Sequence, residues 1–222
     1  MKFNHRRIIF GSFEFCHLVF WRIFSTFAIE FSHNMAKVYV FLADGFEEVE
    51  ALAPIDILRR GSVEVISVSI MGRLEVNAAH GVTVRADKTF EDIDTFDDAD
   101  LVILPGGMPG AANLDMHDGV RRVLLRQSKA GKRIAAICAA PFVLGKLGIL
   151  DGRRATCYPG FEQYLDHAEY TAELVTVDGN VTTGEGPAAA FPFGYELLRQ
   201  LTDSQTSEQV AEGMRYLHLM NG

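Results

Sequence analysis

From residue 35 onward, the chain alternates short apolar runs with amphipathic stretches. The run AKVYVFLA at 36–43 consists mostly of apolar and β-branched residues and predicts a strand. After the turn DGFEE, apolar residues recur every three to four positions up to Arg60, which predicts a helix. The same alternation continues to the end of the chain. It predicts strands at 62–70, 98–107 and 133–141, a strand and turn at 154–160, and helices at 119–129, 141–147, 188–201 and 207–219.

The strand pattern indicates the fold class. The apolar runs LVIL and IAAI are continuous, which is typical of strands covered on both faces. Two further segments, 74–87 and 173–187, predict pairs of short strands around the turns HG and DGN. We therefore expect an α/β protein with a mainly parallel sheet between two layers of helices. No repeat, low-complexity tract or long linker follows residue 34, so residues 35–222 are expected to form one domain.

The first 34 residues differ in composition from the rest. They hold half of the 16 phenylalanines and the only tryptophan, and their net charge is +2 against −10 for residues 35–222. Charged and polar residues interrupt 8–31, so this stretch is no clean membrane span, and no signal cleavage site is evident. Three interpretations stay open: sequence translated upstream of a true start at Met35, a cleaved or membrane-surface targeting segment, or an ordered extension. We favour the first and expect 1–34 to be poorly ordered and dispensable for folding.

Charge and cysteine content narrow the function classes. The formal net charge of −8 excludes a fold-wide basic surface, so we expect no nucleic-acid binding and no stable membrane insertion. The three cysteines, Cys16, Cys138 and Cys157, are too few and too scattered for a disulfide scaffold. They suit a reducing compartment, and we expect a cytoplasmic protein.

Cys138 is the strongest candidate for chemistry. It follows the apolar run IAAI and precedes the small residues before Pro141, which predicts a strand, a tight turn and a helix. Ligands in such folds bind beyond the carboxyl ends of strands. A thiol at a helix N-terminus is expected to have a lowered pKa and to be nucleophilic. The alternative is a buried core cysteine, the commonest role of a free cysteine.

Two other strand ends supply possible partners. Gly106 and Gly107 end a buried strand, and backbone N–H groups exposed there could form an oxyanion hole. A phosphate-binding turn or a simple loop is the alternative, although no P-loop motif follows. In GFEEVE, Glu47 and Glu48 suit the start of a helix, whereas Glu50 lies close to its apolar face. A carboxyl partly buried beside a thiolate would share a proton with it and could act as a general acid and base.

These motifs carry a resemblance to a known family. The stretches FLADGFEEVEALAPIDILRR, VILPGGMPGAANL, RIAAICAAP, CYPG and GEGPAAAF resemble the ThiJ/PfpI superfamily, closest to its parkinsonism-associated protein deglycase branch and the bacterial relatives. The resemblance covers essentially all of 35–222 in order and spacing. It implies a flavodoxin-like three-layer α/β/α sandwich, no metal or organic cofactor, and a homodimer with the first helix, around 51–60, in the interface.

The resemblance also implies roles for individual residues. Cys138 matches the nucleophile, and Glu50 matches the glutamate that forms a hydrogen bond with the sulfur. Gly107 and Ala139 match the residues whose N–H groups form the oxyanion hole, with Gly106 as an accessory residue. Some members have a histidine directly after the cysteine. This chain has alanine there, which disfavours a peptidase.

Two further positions depart from the deglycase pattern. Tyr158 stands where the deglycase has a histidine near the sulfur, and tyrosine is a poor base near neutral pH. His80 stands where the deglycase has an arginine that approaches the site across the dimer interface. It could be supplied by the partner subunit, or it could be only a turn residue. Cys157 is expected to be structural.

The resemblance implies a cysteine-dependent enzyme. Its substrates would be α-oxoaldehydes or their early glycation adducts, as for a deglycase or a glutathione-independent glyoxalase. The alternative is a redox-sensing or chaperone-like stress protein that uses the same oxidisable cysteine. The sequence leaves both open because they share one site.

Overall fold

The computed structural model describes residues 35–221. Its strands are β1 (Lys37–Leu42), β2 (Glu64–Ser69), β3 (Glu75–Asn77), β4 (Thr83–Arg85), β5 (Lys88–Thr89), β6 (Leu101–Leu104), β7 (Arg133–Ile137), β8 (Arg154–Ala155), β9 (Glu169–Tyr170), β10 (Val175–Asp178) and β11 (Val181–Gly184). Its α-helices are α1 (Glu48–Arg60), α2 (Gly110–Met116), α3 (Asp118–Lys129), α4 (Pro141–Lys146), α5 (Ala190–Leu201), α6 (Ser204–Gly213) and α7 (Tyr216–Asn221). The prediction for residues 1–34 lies outside the described residues.

The central sheet confirms the predicted fold class. Seven strands lie in the order β10-β11-β7-β6-β1-β2-β5. All neighbours are parallel except β10 and β11, which form the predicted antiparallel hairpin. The strands β3 and β4 pair antiparallel outside this sheet, also as predicted. Every residue of β6 and β11 is buried, because these central strands are covered on both faces.

The helices pack in two groups that cover the sheet. One group contains α1, α5 and α6, and the other contains α2, α3 and α4. The core between them includes Phe41, Phe46 and Phe193, which are fully buried. Parallel strands end at one edge of the sheet, so the turns after β1, β6, β7 and β11 meet there. None of the helices within residues 35–221 is long and apolar enough to cross a membrane.

Among the differences from the sequence prediction, three have a local structural cause. Within 154–160, where a strand and a turn are predicted, the strand is only the two residues of β8, because the chain then turns and Tyr158 donates its backbone N–H to the carbonyl oxygen of Cys138. The helix predicted at 207–219 is two helices, since Arg215 between them has a φ of +63°. Helix α2 is not predicted, because Pro109 directly before it and Gly110 at its start resemble a loop. Gly110 is required there by packing, since a Cβ atom would lie 2.5 Å from the backbone nitrogen of Phe46.

Candidate active site

Cys138 lies in the turn between β7 and α4. Its φ of +64° is in the left-handed region, which is uncommon for a residue other than glycine. Two backbone hydrogen bonds hold this conformation. The N–H of Cys138 donates to the carbonyl oxygen of Gly184 at 2.9 Å, and its own carbonyl oxygen accepts from the N–H of Tyr158 at 2.8 Å. The turn is therefore fixed by the strands and loops on both sides of it.

Glu50 reaches the same place from the first turn of α1. Its side chain is fully buried, and its Oε2 accepts a hydrogen bond of 2.9 Å from the N–H of Gly106. A Cβ atom at Gly106 would lie 2.6 Å from this oxygen and 2.7 Å from the Cβ of Cys138. The absence of a side chain at Gly106 is thus what lets the carboxyl and the thiol approach each other.

The predicted oxyanion-hole residues also face the thiol. The backbone N–H groups of Gly107 and Ala139 act to lower the pKa of the Cys138 thiol, as donors near a thiolate do. Neither group donates to another backbone carbonyl within the described residues. Gly107 has a φ of +82°, and a Cβ atom there would lie 2.5 Å from the nitrogen of Glu47, so only glycine fits. The structure thus brings together Cys138, Glu50 and the three backbone positions predicted beside them.

The pKa of the Cys138 thiol shifts in the direction opposite to the sequence prediction. Burial and the nearby Glu50 carboxylate raise it to about 12, although the N–H groups of Gly107 and Ala139 act to lower it. The predicted helix-dipole effect is small, because α4 has only six residues and begins three residues after Cys138. Desolvation of the thiolate therefore dominates.

The thiol and the carboxyl titrate as a pair. Burial raises the pKa of Glu50 to about 7, although hydrogen bonds from Cys138 and Gly106 act to lower it. Between these two pKa values, the pair holds one proton, and a thiolate exists only when that proton is on Glu50. The second oxygen of Glu50, Oε1, is buried and accepts no hydrogen bond from the described residues. Glu50 is thus placed to take the proton of the thiol.

His80 lies at the N-terminus of α1. Its Nδ1 is 2.9 Å from Glu48 Oε2 and 3.4 Å from Glu47 Oε2, and its side chain is 70% exposed. The hydrogen bond with Glu48 raises the pKa of His80, and the charge of Glu47 adds to the rise. The ligand atoms of these three residues lie within 4.8 Å of one another, as a metal site would require. The ion pairs already account for this arrangement. A role for His80 across a dimer interface stays a prediction.

Tyr158 and Cys157 follow β8. The backbone of Tyr158 supports Cys138, while its side chain is 47% exposed and its ring lies against Gly186. Cys157 is fully buried, and burial raises its pKa to about 12, with a further rise from the charge of Glu162. No hydrogen bond to its sulfur is found within residues 35–221. Cys157 is thus placed as a structural cysteine would be.

The sequence analysis did not identify one segment that lines a cleft near the candidate site. Residues 185–189 follow β11 and form a cleft of about 260 Å³ with Tyr158 and Pro159. The signal was present, because GEGP follows a strand whose neighbours already carried candidate residues. The rule that ligands bind at the carboxyl ends of strands applies equally to this strand.

Comparison with known proteins agrees with this architecture. The sequence model of the DJ-1/PfpI family matches residues 36–200. The chain is 35% identical to the Parkinson disease protein 7 homolog of Danio rerio, over 78% of this chain and 94% of that protein. It is 30% identical to a deglycase of Pyrococcus abyssi, over 74% of this chain and 99% of that protein. A solved DJ-1 superfamily protein from Salmonella typhimurium superposes with a TM-score of 0.78 at 35% identity, covering 81% of this chain and 98% of that chain.

Proposed function

The chain belongs to the DJ-1/PfpI family, and on that premise we propose that it is a cysteine-dependent enzyme acting on α-oxoaldehydes or their early glycation adducts. Homologues that include named deglycases support a DJ-1-like function. The observation that carries the proposal is the close approach of Cys138 and Glu50 on either side of Gly106. The N–H groups of Gly107 and Ala139 lie in the adjoining turns and donate to no backbone carbonyl within the described residues.

The first step uses this pair directly. The thiol proton moves to Glu50, and the Cys138 sulfur forms a bond to the aldehyde carbon. The electron pair of the carbonyl bond moves to the oxygen, and the resulting oxyanion is stabilised by the N–H groups of Gly107 and Ala139. Glu50 then returns its proton to this oxygen. No other side-chain base is needed, so the proposal does not depend on the histidine that Tyr158 replaces.

The second step is an internal oxidation and reduction. Glu50 removes the hydrogen of the former aldehyde carbon as a proton and delivers it to the adjacent ketone carbon. The hydroxyl proton on the oxygen of the first carbon moves to the ketone oxygen. The first carbon is thereby oxidised to a thioester and the second is reduced to an alcohol, so no external oxidant is required. Water hydrolyses the thioester, which restores the thiol and releases a hydroxy acid. With an adduct, the bond to the amine or thiol also breaks, and that group leaves with a proton.

The direct test is lactate production from methylglyoxal without glutathione. The full chain is expected to produce lactate, and Cys138→Ala is expected to produce none above the uncatalysed rate. An inactive full chain with an intact thiol would overturn the proposal. Replacement of Glu50 then tests the proton transfer separately.

A redox role is the second candidate, and one observation favours it. A sulfinate at Cys138 could accept hydrogen bonds from the same two backbone N–H groups and from a protonated Glu50. Forming it would consume two molecules of hydrogen peroxide and release two of water. A peroxide titration followed by mass spectrometry measures this. Oxidation of Cys138 at stoichiometric peroxide, in a chain that makes no lactate, would favour the redox role.

We also propose that the chain forms a homodimer in the cytoplasm, with α1 in the interface. Helix α1 exposes two large apolar side chains, Val49 at 43% and Leu52 at 38%. Sedimentation at micromolar concentration is expected to give twice the chain mass, and Leu52→Glu is expected to shift the population toward monomer. A monomeric full chain would contradict the dimer and remove any role for His80 of the partner subunit.

A further inference from the structure

The cleft formed by Tyr158, Pro159 and residues 185–189 is reached along the chain from two backbone hydrogen-bond partners of Cys138. The backbone N–H of Cys138 donates a hydrogen bond to the carbonyl oxygen of Gly184, and the carbonyl oxygen of Cys138 accepts one from the N–H of Tyr158. Both walls of the cleft continue from these two bonding partners, since Glu185 follows Gly184 and Pro159 follows Tyr158. A substrate whose carbonyl reaches the sulfur can therefore extend its remaining part into this cleft.

The walls of this cleft are mostly uncharged. The Tyr158 ring packs against Gly186, where a Cβ atom would lie 3.1 Å from the ring, and the remaining wall is proline and alanine. Of the residues that the structure describes, Glu185 is the one charged residue that lines this cleft. Within residues 35–221, no lysine, arginine or histidine forms an ion pair with Glu185, and no hydrogen bond to its carboxylate is found. Its charge is therefore available to a ligand.

The carboxylate of Glu185 sets the sign of the charge in the cleft. A cation entering the cleft is attracted by this carboxylate, whereas an anion is repelled.

We infer that this cleft selects substrates that carry a positive charge, such as a guanidinium or ammonium group, and that Glu185 is the specificity-determining residue. This inference rests on the proposed function, because it names the class of carbonyl compound that the site prefers. Glu185 acts on substrate binding and takes no part in proton transfer. Its replacement is expected to change KM for cationic substrates and to leave kcat unchanged.

Charge-matched thiol reagents test the cleft without any turnover. Methanethiosulfonates with 2-(trimethylammonio)ethyl, 2-hydroxyethyl and 2-sulfonatoethyl groups transfer their thioalkyl group to a thiol and release methanesulfinate. The rate at Cys138 is followed by mass spectrometry of the peptide that contains it. In the full chain, the cationic reagent is expected to react fastest and the anionic reagent slowest.

In Glu185→Gln, the rate of Cys138 modification by the cationic reagent, divided by the rate for the neutral reagent, is expected to fall by about two- to fivefold at low salt. The ratio in the full chain is expected to fall as salt is raised, because the carboxylate is near solvent. Glu208→Gln removes the same charge from the exposed face of α6 and serves as the matched control, with no change expected. An unchanged ratio in Glu185→Gln would overturn the inference, whether or not the chain makes lactate.

Turnover provides the second measurement. Phenylglyoxal and its 4-trimethylammonio derivative differ in charge and share the same reacting carbons. Glu185→Gln is expected to raise KM for the cationic compound by the same two- to fivefold, with kcat and the neutral compound unaffected. Equal effects on both compounds would contradict a role in charge selection. No turnover of either compound by the full chain would contradict the proposed function instead, and the reagent rates would still test the cleft.

Discussion

Cys138 and Cys157 are both buried thiols, and burial raises the pKa of each to about 12. They differ in what surrounds the sulfur. Cys138 lies beside Glu50, whose pKa of about 7 lets it accept a proton, and beside two backbone N–H donors. For Cys157, burial and the negative charge of Glu162 both disfavour the thiolate. The comparison teaches that a buried thiol in this fold becomes a nucleophile where a neighbouring group can take its proton.

Replacing each cysteine in turn tests the difference between the two thiols most directly. Cys138→Ser is expected to lower kcat/KM for methylglyoxal by at least about 1000-fold, because a serine hydroxyl is far harder to ionise than a thiol. Cys157→Ser is expected to change it by less than about twofold. Initial rates of lactate formation measure both. A loss in folded Cys157→Ser as large as that in Cys138→Ser would show that the two sites have been assigned wrongly.

Removing the proton acceptor is expected to have the next largest effect. Glu50→Gln can still accept the hydrogen bond from Gly106, but it cannot carry a proton, so kcat is expected to fall by about 100- to 1000-fold. Without the carboxylate charge, the pKa of Cys138 is expected to fall below about 12. Thiolate absorbance as a function of pH measures this change in the pKa of Cys138. The matched control is Glu48→Gln, a buried glutamate of the same helix turn that pairs with His80.

The thiol pKa and the kcat of Glu50→Gln together separate the effect of Glu50 on thiol ionisation from its role in proton transfer. A lower thiol pKa together with a lower kcat is the expected combination. A variant that keeps full kcat would show that another group moves the proton. A loss equally large in Glu48→Gln would mean that the helix turn, and not the carboxyl beside the thiol, is responsible.

A smaller effect is expected from filling the space between thiol and carboxyl. In Gly106→Ala, the new methyl group would overlap both Glu50 and Cys138, so the free energy of unfolding is expected to fall by about 1–3 kcal/mol. Activity is expected to fall as well, because the pair is pushed apart. The control is Gly213→Ala, where the added carbon has no atom within 4 Å from the rest of residues 35–221 outside its own helix. Urea denaturation compares the two, and equal stability would contradict the close packing at Gly106.

The sequence predicted the parts of the site that depend on local pattern. Apolar runs predicted the strands, and the small residues after β7 predicted the turn at Cys138. The distances between segments far apart in the chain could not be predicted in the same way. The contact of Glu50 with Gly106 spans 56 residues and depends on how α1 packs on the sheet.

The errors of the sequence prediction have a common physical origin. The pKa of Cys138 was expected to fall because position at a helix start is visible in the sequence, whereas the depth of burial is not. Helix α2 was missed because Gly110 resembles a helix breaker, although its role is to admit the backbone of Phe46. The contacts of His80 with the start of α1 also required the tertiary structure, while its role across a dimer interface stays a prediction. Burial and packing, and not local pattern, decided each of these.

The pH dependence of alkylation tests the central claim, that Glu50 makes Cys138 a nucleophile. Because the pair loses its first proton near the Glu50 pKa of about 7, the rate of reaction of Cys138 with iodoacetamide is expected to rise through pH 7 and then level off. Cys157 is expected to react appreciably only as the pH approaches its pKa of about 12. Glu50→Gln is expected to abolish the rise near pH 7. If Cys157 reacts faster than Cys138 near neutral pH, or if Cys138 shows the same rise near pH 7 in Glu50→Gln, the account is contradicted.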